Sequence, residues 1–307
     1  MKKKKIKIII ILGQTATGKS DLAARIAKKL GGEIISADSR QVYKGFDIGS
    51  GKITKKEMRG VFHYLLDVAS PKRQFSAAKY KKLADNKIIK IYKTGKIPFI
   101  VGGSGFYIQT IVDGLVLPKV EPNNKLRKEL EKKSAKKLFS MLKKLDKNRA
   151  KKIEKDNPRR LIRAIEIAKV LGKTPKLKTN SEYEALQIGL KLPDKKLKNN
   201  IHKRLMSRIR KGMISEVKKL HAKNISWKRL ESFGLEYRFI ARYLQGKIKK
   251  KEMLDELETE IWHFAKRQMR WFKRDARIKW FNPNQVKKIE IEITNFLNNY
   301  ELRNAKI

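Results

Sequence analysis

The sequence predicts a doubly wound α/β fold: a parallel sheet core interrupted by an inserted helical subdomain. Three observations carry that expectation. An apolar run, residues 8–12, leads through Gly13-Gln14-Thr15-Ala16-Thr17-Gly18-Lys19-Ser20 into helix-compatible text over residues 21–30. Two further short apolar runs, residues 33–37 and 99–101, each end in a polar or glycine-rich turn. Between residues 119 and 178 the text becomes helical and highly charged, and strand-like text resumes at Leu186.

Strand, G-x-x-x-x-G-K-[ST] turn and helix is the context that raises a phosphate-loop match above chance, and it makes the core P-loop NTPase-like. Glycines let several N–H groups and the positive end of the helix point at one anion. Lys19 then reaches the terminal phosphate, and the Ser20 hydroxyl suits Mg²⁺. The motif leaves open whether the anion belongs to a nucleotide, because any pyrophosphate satisfies the same groups.

Gly31-Gly32 closes the first helix, and the strand over residues 33–37 carries Asp38-Ser39-Arg40-Gln41 to its C-terminal end. In an open parallel sheet those ends face the ligand crevice, so Asp38 is expected beside whatever the phosphate loop holds. An Asp after a strand also serves as a plain cap for the next segment. A helix is predicted over residues 77–94, stopped by Gly95 and Pro98, and the strand at residues 99–101 ends in Gly102-Gly103-Ser104-Gly105. Within the insertion, Pro158 opens a helix whose apolar positions Leu161, Ile162, Ile165 and Ala168 share a face. Long helices are predicted over residues 199–220 and 251–273, a short strand over 278–281, and a helix in the tail. The expected organisation is a core of residues 1–118 and 179–285, an insertion of 119–178 and a tail of 286–307.

Composition sets limits. With 77 Lys and Arg against 30 Asp and Glu, the formal net charge is +47, which points to a polyanionic partner with nucleic acid foremost. A general lysine bias over solvated helix faces gives the same number, so charge alone does not choose. No cysteine is present, which excludes disulfides, thiolate zinc sites and thiol nucleophiles. The basic N-terminus followed by a short apolar run lacks a cleavage site and reads as the first strand, and no stretch approaches a membrane span. A cytoplasmic protein is expected.

Three segments together resemble the bacterial tRNA dimethylallyltransferase family, the tRNA A37 isopentenyltransferases: the loop Gly13 to Ser20, the run Asp38-Ser39-Arg40-Gln41-Val42-Tyr43-Lys44-Gly45-Phe46-Asp47-Ile48-Gly49, and Val101-Gly102-Gly103-Ser104-Gly105-Phe106-Tyr107. Similar segments follow in order at Asn157-Pro158-Arg159-Arg160-Leu161-Ile162-Arg163, at Ile201-His202-Lys203-Arg204 running to Val217, and at Ala265 to Phe272, so the likeness spans residues 8–281. The resemblance implies that dimethylallyl diphosphate places its diphosphate in residues 13–20, with Lys19, Mg²⁺ near Ser20, and Arg204 stabilising it as it leaves. It implies that Asp38 takes the proton from N6 of adenosine 37 in tRNAs reading codons that begin with U. Ser39, Arg40, Gln41 and Ser104 border that base, Ser104 standing where the family usually has Thr. The insertion is implied to hold the tRNA anticodon stem-loop through Arg127, Arg159, Arg160, Leu161, Ile162 and Arg163, and a monomer is the default.

Some residues depart from the family pattern. Gln14 replaces a usual Pro, Asn200 an arginine one turn before Arg204, and Glu236 falls in a stretch that is usually basic. His63 and the tryptophans Trp262, Trp271 and Trp280 read as structural. Three other readings fit parts of the sequence: a small-molecule P-loop kinase, an isopentenyltransferase acting on free AMP or ATP, and a non-catalytic RNA-binding P-loop protein.

Overall fold

In the computed structural model, which describes residues 5–298, the chain forms two compact units, 1–114 with 181–307 and 115–180. The first unit is built on strands β1 (Ile6–Gly13), β2 (Gly32–Ala37), β3 (His63–Tyr64), β4 (Ile97–Gly102), β7 (Tyr183–Leu190) and β8 (Ile278–Phe281), all parallel, in the order β3-β2-β4-β1-β7-β8. Residues Ile8 to Leu12 of β1 are fully buried because both faces of the strand are covered. Ile8, Ile10 and Leu12 pack with α2 (Ala77–Lys93) and α3 (Gly105–Val112), while Ile9 and Ile11 pack with α1 (Lys19–Lys29) and α13 (Val286–Asn298). The C-terminal helix is thus part of the core: Ile289 and Ile293 are fully buried, and Lys7 Nζ caps its end by donating to the carbonyls of Phe296 and Leu297.

A second layer of helices, α8 (Asp194–Arg210), α9 (Met213–Ala222), α10 (Trp227–Ser232), α11 (Leu235–Leu244) and α12 (Lys250–Phe272), has its own apolar cluster, into which Val42, Tyr43 and Phe46 also pack. The single helix predicted over residues 199–220 is two helices. Gly212, with φ of 94°, takes the left-handed conformation that ends α8, and fully buried Met213 starts α9. The helix α3 follows directly on the glycine-rich turn after β4. The structural reading of His63 holds: it lies in β3 with Nδ1 2.9 Å from the Val61 carbonyl. Trp262, Trp271 and Trp280 pack at the margins of the cores. No helix among the described residues is long and apolar enough to cross a membrane.

The second unit, residues 115–180, opens and closes on a short antiparallel pair, β5 (Leu115–Val116) with β6 (Lys178–Thr179). Between them lie α4 (Asn124–Leu130), α5 (Ala135–Leu145), α6 (Lys147–Ala150) and α7 (Pro158–Leu171). Pro158 sits in the first turn of α7, and the Asn157 side chain caps it by accepting from Arg160 N at 3.3 Å. This unit is organised by Glu166, which is 1% exposed. Its carboxylate accepts from Arg127 Nε at 3.0 Å and Nη2 at 2.8 Å, from Asn123 N at 2.7 Å, and from Arg163. Burial by itself raises the Glu166 pKa, but the bonds from Arg127, Asn123 N and Arg163 outweigh it and hold the group below its ordinary value of 4.5.

A carboxylate held low stabilises the fold above its unfolded pKa, and that contribution is lost as pH falls through the folded value. Glu166→Ala leaves two arginines without their common partner. Because both keep some access to water, a loss of about 3 kcal/mol is expected, at the low end for a buried pair. Proteolysis confined to the insertion, or urea melting, should register it at pH 7, and the wild-type protein and the variant should converge in acid.

Candidate active site

The three central strands end on one rung. Leu12 pairs with Gly102, and Gly102 with Ala37, so the chain segments that leave β1, β2 and β4 start side by side. The approach is close: a Cβ on Gly102 would lie 2.2 Å from the Ala37 carbonyl oxygen. Ser104 then joins two of the segments, its N–H donating to that carbonyl at 3.1 Å and its Oγ accepting from Ser39 N at 2.9 Å.

The loop over residues 13–20 is folded around its own backbone. The Gln14 carbonyl accepts from Lys19 Nζ at 2.8 Å and from Thr17 Oγ1 at 2.9 Å. Gly18, with φ of 84°, precedes α1, and no side chain caps that helix terminus, which leaves its first N–H groups without a side-chain partner, the arrangement that suits an anion. Ala16 is left-handed at φ of 60°, a strained position for a residue with a Cβ, and Asn200 Nδ2 holds its carbonyl at 3.2 Å. Gln14, 4% exposed, reaches the Ala265 carbonyl of α12 at 3.2 Å. The residues at the two departures Gln14 and Asn200 therefore serve as ties that hold the loop.

A further tie comes from Gln268 on α12. Its Oε1 accepts from Thr15 N at 2.8 Å and its Nε2 donates to the Gly103 carbonyl at 2.9 Å, so one amide side chain spans the loops after β1 and β4. Thr15 N, expected among the anion-binding N–H groups, is therefore committed to Gln268. Sequence reasoning assigned Gln268 no role, although a signal existed: it is a polar residue on the buried stripe of Ile261, Ala265 and Phe272.

Asp38 caps its turn and lies beside the phosphate loop. Its Oδ1 accepts from Arg40 N at 2.8 Å and Gln41 N at 3.4 Å, which caps the turn. The same carboxylate acts electrostatically on Lys19, Arg204 and Tyr107, so it shares a locus with the phosphate loop. Gln41 is occupied structurally, accepting from Ser36 Oγ at 3.1 Å and donating to the Gly51 carbonyl at 3.2 Å. Arg40 lies over the Phe233 ring.

Arg204 on α8 donates from Nη1 to Thr15 Oγ1 at 3.3 Å. Desolvation pushes its pKa down to about 10, with Arg208 contributing and the carboxylates of Glu236, Asp38 and Glu57 opposing. Glu236, unexpected in a basic stretch, is the ion-pair partner of Arg208 at 3.1 Å. Another carboxylate, Glu216, accepts from the N–H groups of Asp47, Ile48 and Gly49 at 3.0, 2.6 and 3.0 Å and fixes the loop before Gly51. Ser20 lies exposed in the first turn of α1.

The structure thus brings together Gly13 to Ser20, Asp38, Ser39, Ser104 and Arg204. The predicted contacts of the insertion belong to the second unit. There Arg127 and Arg163 bind Glu166, and exposed Arg160 pairs with Glu154 at 3.0 Å, while Arg159 is exposed on the same helix. Leu161 and Ile162 are 0% and 7% exposed in the insertion's apolar core, so the expectation that they touch RNA gives way to packing.

Fold and site define a P-loop-like α/β protein that sets a carboxylate beside an anion cradle. The chain belongs to the IPP transferase family, whose signature matches residues 41–275. It is 39% identical over 298 residues to a tRNA dimethylallyltransferase of Halothermothrix orenii, covering 93% of this chain and 91% of that one. It is 42% identical over 282 residues to tRNA dimethylallyltransferase 2 of Treponema denticola, covering 89% and 94%. A crystal structure of full-length tRNA isopentenylpyrophosphate transferase from Bacillus halodurans superposes with a TM-score of 0.75 at 34% identity, over 98% of this chain and 100% of that one.

Burial, with Arg204 beside it, lowers the Lys19 amine to about 7, and Asp38 only partly offsets them. An anion favours the charged amine, so affinity for diphosphate should fall as pH rises above 7, by up to about tenfold per unit. Calorimetric titration with pyrophosphate from pH 6 to 9 checks this. Lys19→Arg, which stays charged throughout, provides the reference that cancels the ligand's own ionisation.

Proposed function

We propose that the protein transfers a dimethylallyl group from dimethylallyl diphosphate to N6 of adenosine 37 in tRNAs that read codons beginning with U, releasing diphosphate. The observation that carries this reading is the junction of the phosphate loop, Asp38 and Arg204 at one end of the sheet, in a chain whose relatives are named for prenyl transfer to tRNA. The allylic carbon tolerates positive charge, so much of the barrier lies in the charge that builds on the departing diphosphate. Lys19, Arg204 and the open N–H groups of α1 meet that charge from fixed positions. As the C–O bond breaks, its electron pair goes to diphosphate. The N6 lone pair forms the new C–N bond, and Asp38 accepts the N6 proton.

Mg²⁺ fits the donor set at Ser20 only as a shared ion. The described residues contain no cluster of three or more His, Cys, Asp or Glu side chains, so diphosphate oxygens and water must provide most of its ligands, as is usual for Mg²⁺. When bound it neutralises charge on the diphosphate.

Reaching N6 requires drawing the base out of its stack, and a positively charged protein is suited to the RNA that carries it. The net charge of +47 and the exposed Arg159 and Arg160 of the insertion support an anticodon stem-loop partner. The parts of the catalytic site come from one chain, which supports a monomeric enzyme, and tRNA as acceptor supports a cytoplasmic one. A macromolecular acceptor disfavours the free-nucleotide and small-molecule kinase readings.

Labelled dimethylallyl diphosphate offered with unmodified tRNA, free AMP or no acceptor tests the proposal. Label should appear in the modified adenosine of the tRNA arm; transfer to AMP alone would sink the acceptor assignment. Asp38→Asn keeps a side-chain acceptor for the turn but removes the base, so kcat should fall by about 10²–10⁴ with tRNA affinity unchanged. A tRNA dissociation constant that weakens steeply between 50 and 200 mM salt, on the order of tenfold or more, is the corresponding expectation for phosphate-dominated binding.

A further inference from the structure

We propose that Gln268 is a positioning residue that fixes the distance between leaving group and base, by tying the loop that holds the diphosphate to the loop that sets Asp38. The inference rests on the reading of residues 13–20 as a diphosphate site and of Asp38 as the acceptor of the N6 proton. Gln268 lies on the buried face of α12 and is 7% exposed. Its amide has one end on each loop: Thr15 N donates to Oε1 at 2.8 Å, and Nε2 donates to the Gly103 carbonyl at 2.9 Å. A Cβ on Gly103 would stand 2.3 Å from that Nε2 and 3.5 Å from the Gly13 carbonyl oxygen, so the two loops and the amide meet where no side chain fits. One turn earlier on the same face, the Ala265 carbonyl accepts from Gln14 Nε2, and α12 grips the phosphate loop twice.

Each end of the tie leads straight into the chemistry. At one end, Gly103 is followed by Ser104, whose N–H donates to the Ala37 carbonyl and whose Oγ accepts from Ser39 N. Asp38 is the residue between those two anchors. At the other end, Thr15 Oγ1 accepts from Arg204 Nη1 at 3.3 Å, so the residue that Gln268 holds also touches a cation of the leaving-group site. The plainer reading is that Gln268 only satisfies two buried backbone groups. That task needs no single side chain, because separate partners or an ordered water serve it equally well. One amide whose donor and acceptor sit at a fixed separation adds what separate partners do not: it makes the two loops move together. The N6 lone pair bonds to the allylic carbon as the C–O pair leaves with diphosphate, so the rate depends on the distance between two substrates held by different loops. A misplacement of about 1 Å in such a geometry costs on the order of 10²-fold.

The test uses the full-length protein with dimethylallyl diphosphate and unmodified tRNA, transfer being followed in a single turnover at saturating concentrations of both. Gln268→Asn keeps the amide but is one methylene too short to reach both loops, and Gln268→Met keeps the length but loses both bonds. Each should slow transfer at least about tenfold. The dissociation constants for pyrophosphate with Mg²⁺ and for tRNA, each measured alone, should stay within about threefold of the wild-type values, because the tie sets the geometry between the substrates rather than the grip on either. A packing role would instead lower the melting temperature and leave the rate of the folded enzyme unchanged. A smaller fall in rate in either folded variant, or a loss of either affinity as large as the loss of rate, overturns the proposal. If only one variant folds, its rate decides; if neither folds, Gln268 serves the fold and the proposal is overturned. A wild-type protein that transfers nothing to tRNA removes the reading of the site itself, an outcome distinct from unchanged variants of an active enzyme.

Discussion

The site depends on the contact between Gly102 and Ala37. Where β4 ends, its chain runs so close to the end of β2 that no side chain fits at Gly102, where a Cβ would lie 2.2 Å from the Ala37 carbonyl oxygen. That carbonyl also accepts from Ser104 N, which turns the chain leaving β4 toward Ser39. Asp38 is the residue between the two anchored positions. A carboxylate proposed as a base must lie within hydrogen-bond reach of a proton and tolerates little displacement, and here the backbone is held on one side by the pairing of Ala37 with Gly102 and on the other by the bond from Ser39 N to Ser104 Oγ. Asp38 also spends one carboxylate oxygen on the turn, which fixes its rotamer without a charged partner.

The loops around this point are held by neutral groups. Gln268 spans Thr15 N and Gly103, Gln14 reaches Ala265, and Asn200 holds Ala16. Amide side chains can donate and accept at once, so they tie two backbone segments without adding charge. The consequence is a division of labour: amides hold the scaffold, and on the proposed function the cations Lys19 and Arg204 meet the diphosphate. Burial makes those cations costly to keep charged, as the lowered values for Lys19 and Arg204 record. An anion that restores full charge to them gains more there than it would at a solvated surface.

Much of this was legible in the sequence wherever a local pattern carries the geometry. The apolar run of β1 reads as a strand buried on both faces, and the loop from Gly13 to Ser20 is a contiguous motif. Asp38 and Ser104 follow because parallel strands deliver their ends to one edge. Other features rest on contacts between distant residues, which periodicity does not encode. Thr15 and Gln268 are far apart in the chain, as are Gly51 and Arg208. The tail helix has an amphipathic pattern, but the surface it covers is set by the sheet. Helix α3 was missed because its text, Gly105 to Val112, is almost wholly apolar and opens in a glycine turn, so neither period stands out. The break at Gly212 escaped because a single Gly is tolerated within a helix, and only its left-handed φ reveals the stop.

The positive charge of the chain therefore acts at two ranges. Surface lysines attract a polyanion over roughly the Debye length, about 8 Å at physiological salt, without regard to its sequence. They bring RNA close but place no atom. Within the insertion, part of the arginine set is already spent: Arg127 and Arg163 are bound to Glu166, which is 1% exposed, and releasing either would strand that carboxylate. An RNA phosphate competes poorly for such a pair, because it must repay the lost partner as well as the desolvation. Exposed Arg160 is in a different position. Its link to Glu154 joins two side chains that are 50% and 61% exposed, a pair worth little in water and readily exchanged for a phosphate. Exposure and partner, rather than residue type, separate Arg163, which holds the subdomain together, from Arg160, whose partner lies in water.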